Sequence, residues 1–280
     1  MSVLDTQSIA DAVESAIGSI ACRIESGCLR ALEQARAKES RASAAFALDV
    51  MLDNARLAER ESRPVGQDTG MVIVFVELGQ QVRLQGALLD DAIHAAVARA
   101  YRPLRKSVLD PITRVNTGDN TPAVIHTSIV AGDSVKLEIM LKGFGSENMS
   151  AVTLLNPAQG LECAKDFIVD TVARAASNPC PPVIVGVGLG GTLEKACLLS
   201  KHALMRSVGT PNPDAQLDEL ERELLARINA LGIGAQGFGG DTTALAVHIE
   251  RFATHISSLP VAVNILCHCS RSATIVLQGE

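Results

Sequence analysis

A Gln-Asp-Thr-Gly tetrapeptide fills positions 67–70, immediately ahead of an apolar run of strand-forming residues. Far downstream lie two further cysteines, Cys180 in NPCPP and Cys267 in NILCHC. Prolines on both sides of Cys180 restrict its backbone and fix where a thiolate points, and Cys267 ends an apolar strand, so both are candidate metal ligands. The competing reading of any single cysteine is a small buried hydrophobe. No compact CxxC pair points to zinc, and Cys267-His268-Cys269 alone is too tight for one tetrahedral ion.

Glycine-rich polar turns recur beside strand ends: QDTG, TRVNTGDNTP at 113–122, KGFGSENMS at 142–150, GVGLGGT at 186–192 and GIGAQGFGGDTT at 232–243. Loops of this kind expose backbone amides and bind anions in α/β folds. Each taken singly is a turn built from turn residues, whereas five together favour one shared anion site. Gly186, Gly188 and Gly191 also approximate a dinucleotide-binding fingerprint between a strand and a helix. That fingerprint wants an acidic residue at the end of a second strand about 20 residues on; a helix and then VGTPNPDAQ follow instead, which keeps nucleotide binding as an alternative only.

The elements that must position these residues are legible from periodicity. Ile9, Val13, Ile17, Ile20 and Ile24 recur at helical spacing, and an Ala-rich stretch from about Leu29 to Ala58 reads as a second helix after Gly27, so residues 1–60 form a helical N-terminal region. Met71 to Leu78 reads as a strand buried on both faces and Leu88 to Tyr101 as a helix. Val124–Val130 and Ser134–Leu141, joined through Ala-Gly-Asp, read as an antiparallel hairpin. Further on come a helix with Leu161, Ile168 and Val172 on one face, a strand over Val183–Val187, and a helix carrying Lys195 and His202. An amphipathic helix over Leu217–Leu231, opened by Pro213, precedes two last strands, Thr243–Ile249 and Pro260–Cys267. The expectation is an α/β fold with a mixed sheet and flanking helices, one domain over residues 1–280.

Composition narrows the function. Aromatic residues make up 2% of the chain, with no Trp and one Tyr, and the formal charge is −6. Base stacking and binding to nucleic acid or anionic membrane are therefore not expected, and the partner is a small molecule or a protein. The N-terminus lacks a basic segment before an apolar stretch, and seven cysteines without close pairing suit a reducing compartment. A cytoplasmic location is expected.

The segments PITRVNTGDNTPAVIH, KGFGSENMS, GIGAQGFGGDTTALAVHIE and THISSLPVAVNILCH, together with QDTG, resemble the alpha segment of the class I fumarase and tartrate dehydratase family. The likeness covers nearly the whole chain beyond Glu61. It implies a hydro-lyase that adds or removes water across the C2–C3 bond of a small dicarboxylate at a [4Fe–4S] cluster held by three cysteines, whose open iron acts as a Lewis acid. Cys180 and Cys267 match the second and third ligands. Gln67 and Asp68 would face substrate, with Asp68 organising proton transfer at carbon; Arg114 would hold a carboxylate and the amides around Gly143 and Gly145 another oxygen. His255 matches a substrate-contacting histidine, against the alternative of a surface histidine at a helix end. The resemblance further implies a separate beta subunit. All these groups are expected to converge on one pocket built from glycine turns. One departure stands out, because Gly66 occupies the position of the first cluster cysteine. A labile cluster with a substitute such as Cys269 or a partner residue, a different metal on Cys180, Cys267 and His268, and a non-catalytic homologue all remain open.

Overall fold

The computed structural model describes residues 2–279. In chain order the elements are β1 (Ser2–Asp5), α1 (Thr6–Ala21), α2 (Ser26–Lys38), α3 (Ala42–Glu61), β2 (Met71–Gly79), β3 (Val82–Gln85), α4 (Leu89–Ala100), β4 (Val124–Val130), β5 (Ser134–Lys142), α5 (Phe144–Glu147), β6 (Ala151–Leu155), α6 (Gly160–Ala175), β7 (Val183–Gly190), α7 (Leu193–Ala203), α8 (Ala215–Asn229), β8 (Ala244–Phe252), β9 (Leu259–Leu266) and β10 (Ser272–Gln278). The fold is α/β with mixed sheets and a helical N-terminal region, as the sequence leads one to expect. Among the described residues no helix is long and apolar enough to cross a membrane. The chain divides into two compact units, one of residues 1–25, 55–144 and 271–280, the other of residues 26–54 and 145–270.

The first unit is built on a sheet ordered β10-β5-β2-β4. β2 pairs in parallel with β4 and antiparallel with β5, and β10 pairs antiparallel with β5. Val72, Val74 and Val76 of β2 and Leu137, Ile139 and Leu141 of β5 share a core with Ile9, Val13 and Ile17 of α1 and Ile93 and Val97 of α4. The alternation of side chains along a strand sends every second residue to this face. A hydrogen bond from the Gln7 amide to the Asp5 side chain caps α1 at its start. β1 adds a short parallel pairing with β3.

The expected β4–β5 hairpin does not form. β2 lies between the two strands, and the Ala-Gly-Asp segment joins two neighbours of β2 rather than two partners. β10 was not anticipated either. Its alternate residues are exposed, as befits an edge strand, and its apolar signal is correspondingly weak. The single helix expected over about 29–58 is two, with the break at Glu39-Ser40-Arg41 and Gly27 inside α2. Hydrogen bonds fix this break: the Ser40 amide donates to Asp241 and the Arg41 amide to Glu39.

The second unit holds the sheet β6-β9-β7-β8, with β7 and β8 parallel and β9 antiparallel to both neighbours. Val183, Val185, Val187 and Leu189 of β7 pack with Ile168 and Val172 of α6 and Leu217, Leu220, Leu224 and Ile228 of α8. Asp214 caps α8, its side chain accepting from the amides of Gln216 and Leu217, so Pro213 precedes the first turn instead of opening it. The opposite face of β7 carries Gly186 and Gly188. A Cβ there would come within 2.1 Å of the Ser200 carbonyl oxygen and 2.0 Å of the Ala196 carbonyl oxygen, so the glycines let α7 lie directly on the strand. Two glycines of the apparent dinucleotide fingerprint thus sit inside a strand and serve helix packing. Gly188→Ala is expected to lower unfolding free energy by about 3 kcal/mol, measured by urea denaturation of the purified chain.

Candidate functional site

Strand pairing in the first unit brings three strand ends together. Met71 at the start of β2 pairs with Lys142 at the end of β5, and Ser272 at the start of β10 pairs with Met140. The segments just outside these strands, QDTG, Gly143-Phe144 and Arg271, therefore adjoin. Asp68 is the centre of the group. Its Oδ1 accepts from the Gly70 amide at 2.9 Å and its Oδ2 from the Phe144 amide at 2.7 Å, while its backbone carbonyl accepts from Arg271 Nη1 at 2.7 Å. Charge-assisted bonds to backbone amides hold a carboxylate in one orientation.

The rest of the tetrapeptide is fixed from behind. Tyr101, at the end of α4, is fully buried and donates its hydroxyl to the Thr69 carbonyl at 2.7 Å, with the Gly70 carbonyl 3.1 Å away. Asn120 donates to the Gly70 carbonyl at 3.1 Å, and Thr69 donates its hydroxyl to the Arg105 carbonyl at 2.6 Å. Gly70 adopts a φ of +79°, and a Cβ there would lie 2.9 Å from the Leu141 carbonyl carbon. Burial pushes the Tyr101 phenol well above its usual pKa; the Arg271 cation opposes that shift and the Asp68 anion adds to it. Asp68, Arg271 and Tyr101 thus lie within one another's electrostatic reach.

Gln67 is exposed beside Asp68. Gly143 is buried, and a Cβ on it would lie 3.2 Å from Asp68 Oδ2 and 3.5 Å from Arg271 Nη2. Arg114 is exposed on a turn with φ of +60°, its amide donating to the Asp110 carbonyl at 3.0 Å.

The second unit holds the cysteines. Cys180 is exposed with φ of +55°, and its carbonyl accepts from His268 Nδ1 at 2.9 Å. Partial burial pushes the Cys180 thiol above the ordinary range, and Cys267 adds to the shift. The Cys28 thiol donates to the His268 carbonyl at 3.0 Å. Gly145 is exposed and has open space around it, the nearest atom to an added Cβ being the Asn178 carbonyl oxygen at 3.9 Å. Two residues on, Glu147 pairs with Lys201, whose ammonium burial pushes below its usual range while Glu147 pulls it back. His255 is exposed on the turn after β8, where the Ser257 amide donates to its Nδ1 at 3.2 Å. An acceptor role for Nδ1 leaves the proton of a neutral ring on Nε2. A cavity of about 360 Å³ in this unit is lined by Leu161, Leu189, Leu217, Leu220, Phe252 and Leu259 among others, and by none of the candidate site residues.

The family model for fumarate hydratase (Fumerase) matches residues 10–276. The chain belongs to that family. It is 40% identical over 276 residues to a putative L(+)-tartrate dehydratase subunit alpha of Methanocaldococcus jannaschii, which covers 95% of this chain and 96% of the relative. It is 33% identical over 268 residues to the L(+)-tartrate dehydratase subunit alpha of Escherichia coli O157:H7, covering 93% and 88%. The protein is a lyase of the hydro-lyase type, as expected from the motifs.

An iron–sulfur cluster on three thiolates makes a specific demand. Cys180 and Cys267 offer two, Gly66 offers none, and among the described residues no three His, Cys, Asp or Glu side chains gather into a group that could hold a metal ion. The residues present do not fit a cluster anchored by three cysteines of this chain. Position 66 nevertheless has room, since a Cβ there meets nothing within 4 Å and its φ is ordinary.

Arg271, Tyr101 and the Phe144 amide were not singled out in the sequence. A lone arginine after CHCS carries no periodic signal, and only the β5–β10 pairing brings it to Asp68. Two outcomes follow from this geometry. Gly66→Cys is expected to fold with stability within about 0.5 kcal/mol of wild type, read by thermal unfolding, with one additional titratable thiol. Alkylation of Cys180 by iodoacetamide, followed by mass spectrometry against pH, should have its midpoint above that of an ordinary thiol, and Cys267→Ser should move it down by removing a like charge.

Proposed function

We propose that this chain is the alpha subunit of a heteromeric hydro-lyase acting on a small dicarboxylate, L(+)-tartrate or the fumarate/malate pair, with a separate beta subunit. One observation carries the reading: the Fumerase match and both relatives named subunit alpha run over nearly the whole chain. Removal of water takes a proton from one carbon and hydroxide from its neighbour. Asp68 is assigned the proton at carbon, being a carboxylate held at both oxygens by backbone N–H groups. Gln67, Arg114 and the Gly143 segment are assigned to the substrate carboxylates, with Arg114 as the two-donor fork. Gly145 and His255 are assigned substrate contact, His255 through the Nε2 that its bond from Ser257 leaves free to donate. The two thiols are assigned to metal, although the chain supplies no third anchor for a cluster. The reaction is placed in the cytoplasm.

Gly66 favours a second reading, a homologue that has lost the standard cluster and either uses another metal or does not catalyse. The deciding experiment is anaerobic purification of the chain with its beta subunit, followed by iron and sulfide analysis and assays with L(+)-tartrate, fumarate and malate. Turnover of one of them supports the first reading; a complex inactive on all three, made active and iron-loaded by Gly66→Cys, supports the second. In an active complex Asp68→Asn is expected to lower kcat by about 10²–10⁴-fold with assembly unchanged on size-exclusion chromatography.

A further inference from the structure

Arg271 is a buried cation whose side chain meets the Asp68 turn, and nothing above gives it a role. It is 3% exposed, yet its Nε is buried without a hydrogen-bond partner. An unmet buried donor costs stability, so the contacts that remain hold the guanidinium in this pose. Here Nη1 is committed to the Asp68 carbonyl, and Nη2 lies on the same side of Gly143 as Asp68 Oδ2. The arginine is oriented by the tetrapeptide at the expense of its own bonding. Its backbone is fixed independently, since its carbonyl accepts from the Leu141 amide at 3.0 Å and extends the β5–β10 ladder.

We propose that Arg271 is the positioning residue for Asp68: anchored by β10, it clamps the Asp68 carbonyl so that one carboxylate oxygen stays on the Gly70 amide and the other on the Phe144 amide. Gly143 is part of the device, because a methyl group there would press on the carboxylate beside the guanidinium. The clamp itself stands on geometry alone; its catalytic consequence rests on the role of Asp68 proposed above. If Asp68 moves a proton at carbon, loosening the clamp lowers kcat and leaves KM nearly unchanged, since Arg271 acts through Asp68 and not on substrate.

The test uses the chain assembled with its beta subunit and two variants, Arg271→Met and Arg271→Lys. Residue-resolved amide hydrogen exchange should show Gly70 and Phe144 exchanging at least about tenfold faster in Arg271→Met, with Val74 and Ile139 inside β2 and β5 unchanged, and Arg271→Lys intermediate. Equal acceleration across β2 and β5, or none at the two amides, overturns the clamp. Should Arg271→Met not fold, Arg271→Lys decides alone, by faster exchange confined to the same two amides. In an active complex kcat should fall by about 10²-fold in Arg271→Met with KM within about twofold, and Arg271→Lys should recover part of it. Wild-type complex inactive on all dicarboxylates while the two amides respond as described refutes the proposed dicarboxylate activity and keeps the clamp. Active complex with neither amide nor kcat affected refutes the clamp and keeps the reading.

Discussion

Antiparallel pairing of β5 with both β2 and β10 is the constraint on which the Asp68 group depends. Once Met71 opposes Lys142 and Ser272 opposes Met140, the residues flanking those strands have no freedom to be elsewhere. The Gly70 amide reaches Asp68 within the tetrapeptide, but the Phe144 amide and the Arg271 guanidinium join it because three strands end in register. Rigid strands give more precise placement than a free loop can. The buried Tyr101 and Asn120 complete the arrangement by holding carbonyls that the strand ladder leaves unpaired.

The second unit meets a comparable demand through volume. β7 alternates valine on the face toward α6 and α8 with glycine on the face toward α7. Valines there contribute roughly 1.5–3 kcal/mol each by burial, while the glycines allow a helix to approach where no side chain fits. This is why a motif that resembles a nucleotide loop lies in the middle of a fully buried strand. The same strand leads, through Gly190 and Gly191 with their positive φ values, directly into α7.

Much of this was legible in the amino-acid sequence, and the gaps have physical causes. The apolar run from Met71 and the amphipathic pattern from Leu217 report burial directly, so those elements stand where periodicity puts them. The turn at Ala131-Gly132-Asp133 carries the same local chemistry whether its flanking strands pair with each other or straddle a third, and only long-range register decides between these. β10 was missed because an edge strand needs few buried residues, and the helix break at residue 40 depends on a carboxylate 201 positions away. On the functional side, QDTG and KGFG were conspicuous because turn glycines and short polar residues cluster in them. Arg271 was not, since one cation beside two cysteines has no spacing to read.

The hydrogen bond between Arg271 and Asp68 spans 203 residues of sequence. During synthesis the tetrapeptide, β2 and β5 all leave the ribosome long before the arginine does. Strand β10 is the last element of its sheet to be made, although it sits at the sheet's edge and can be added without opening the rest. A nascent chain ending near residue 270 therefore carries the aspartate without its cation, and the local geometry becomes final only once β10 has been made. Contacts of such long range are slow to form and entropically costly to close, which makes the completed turn a late event in the life of each molecule.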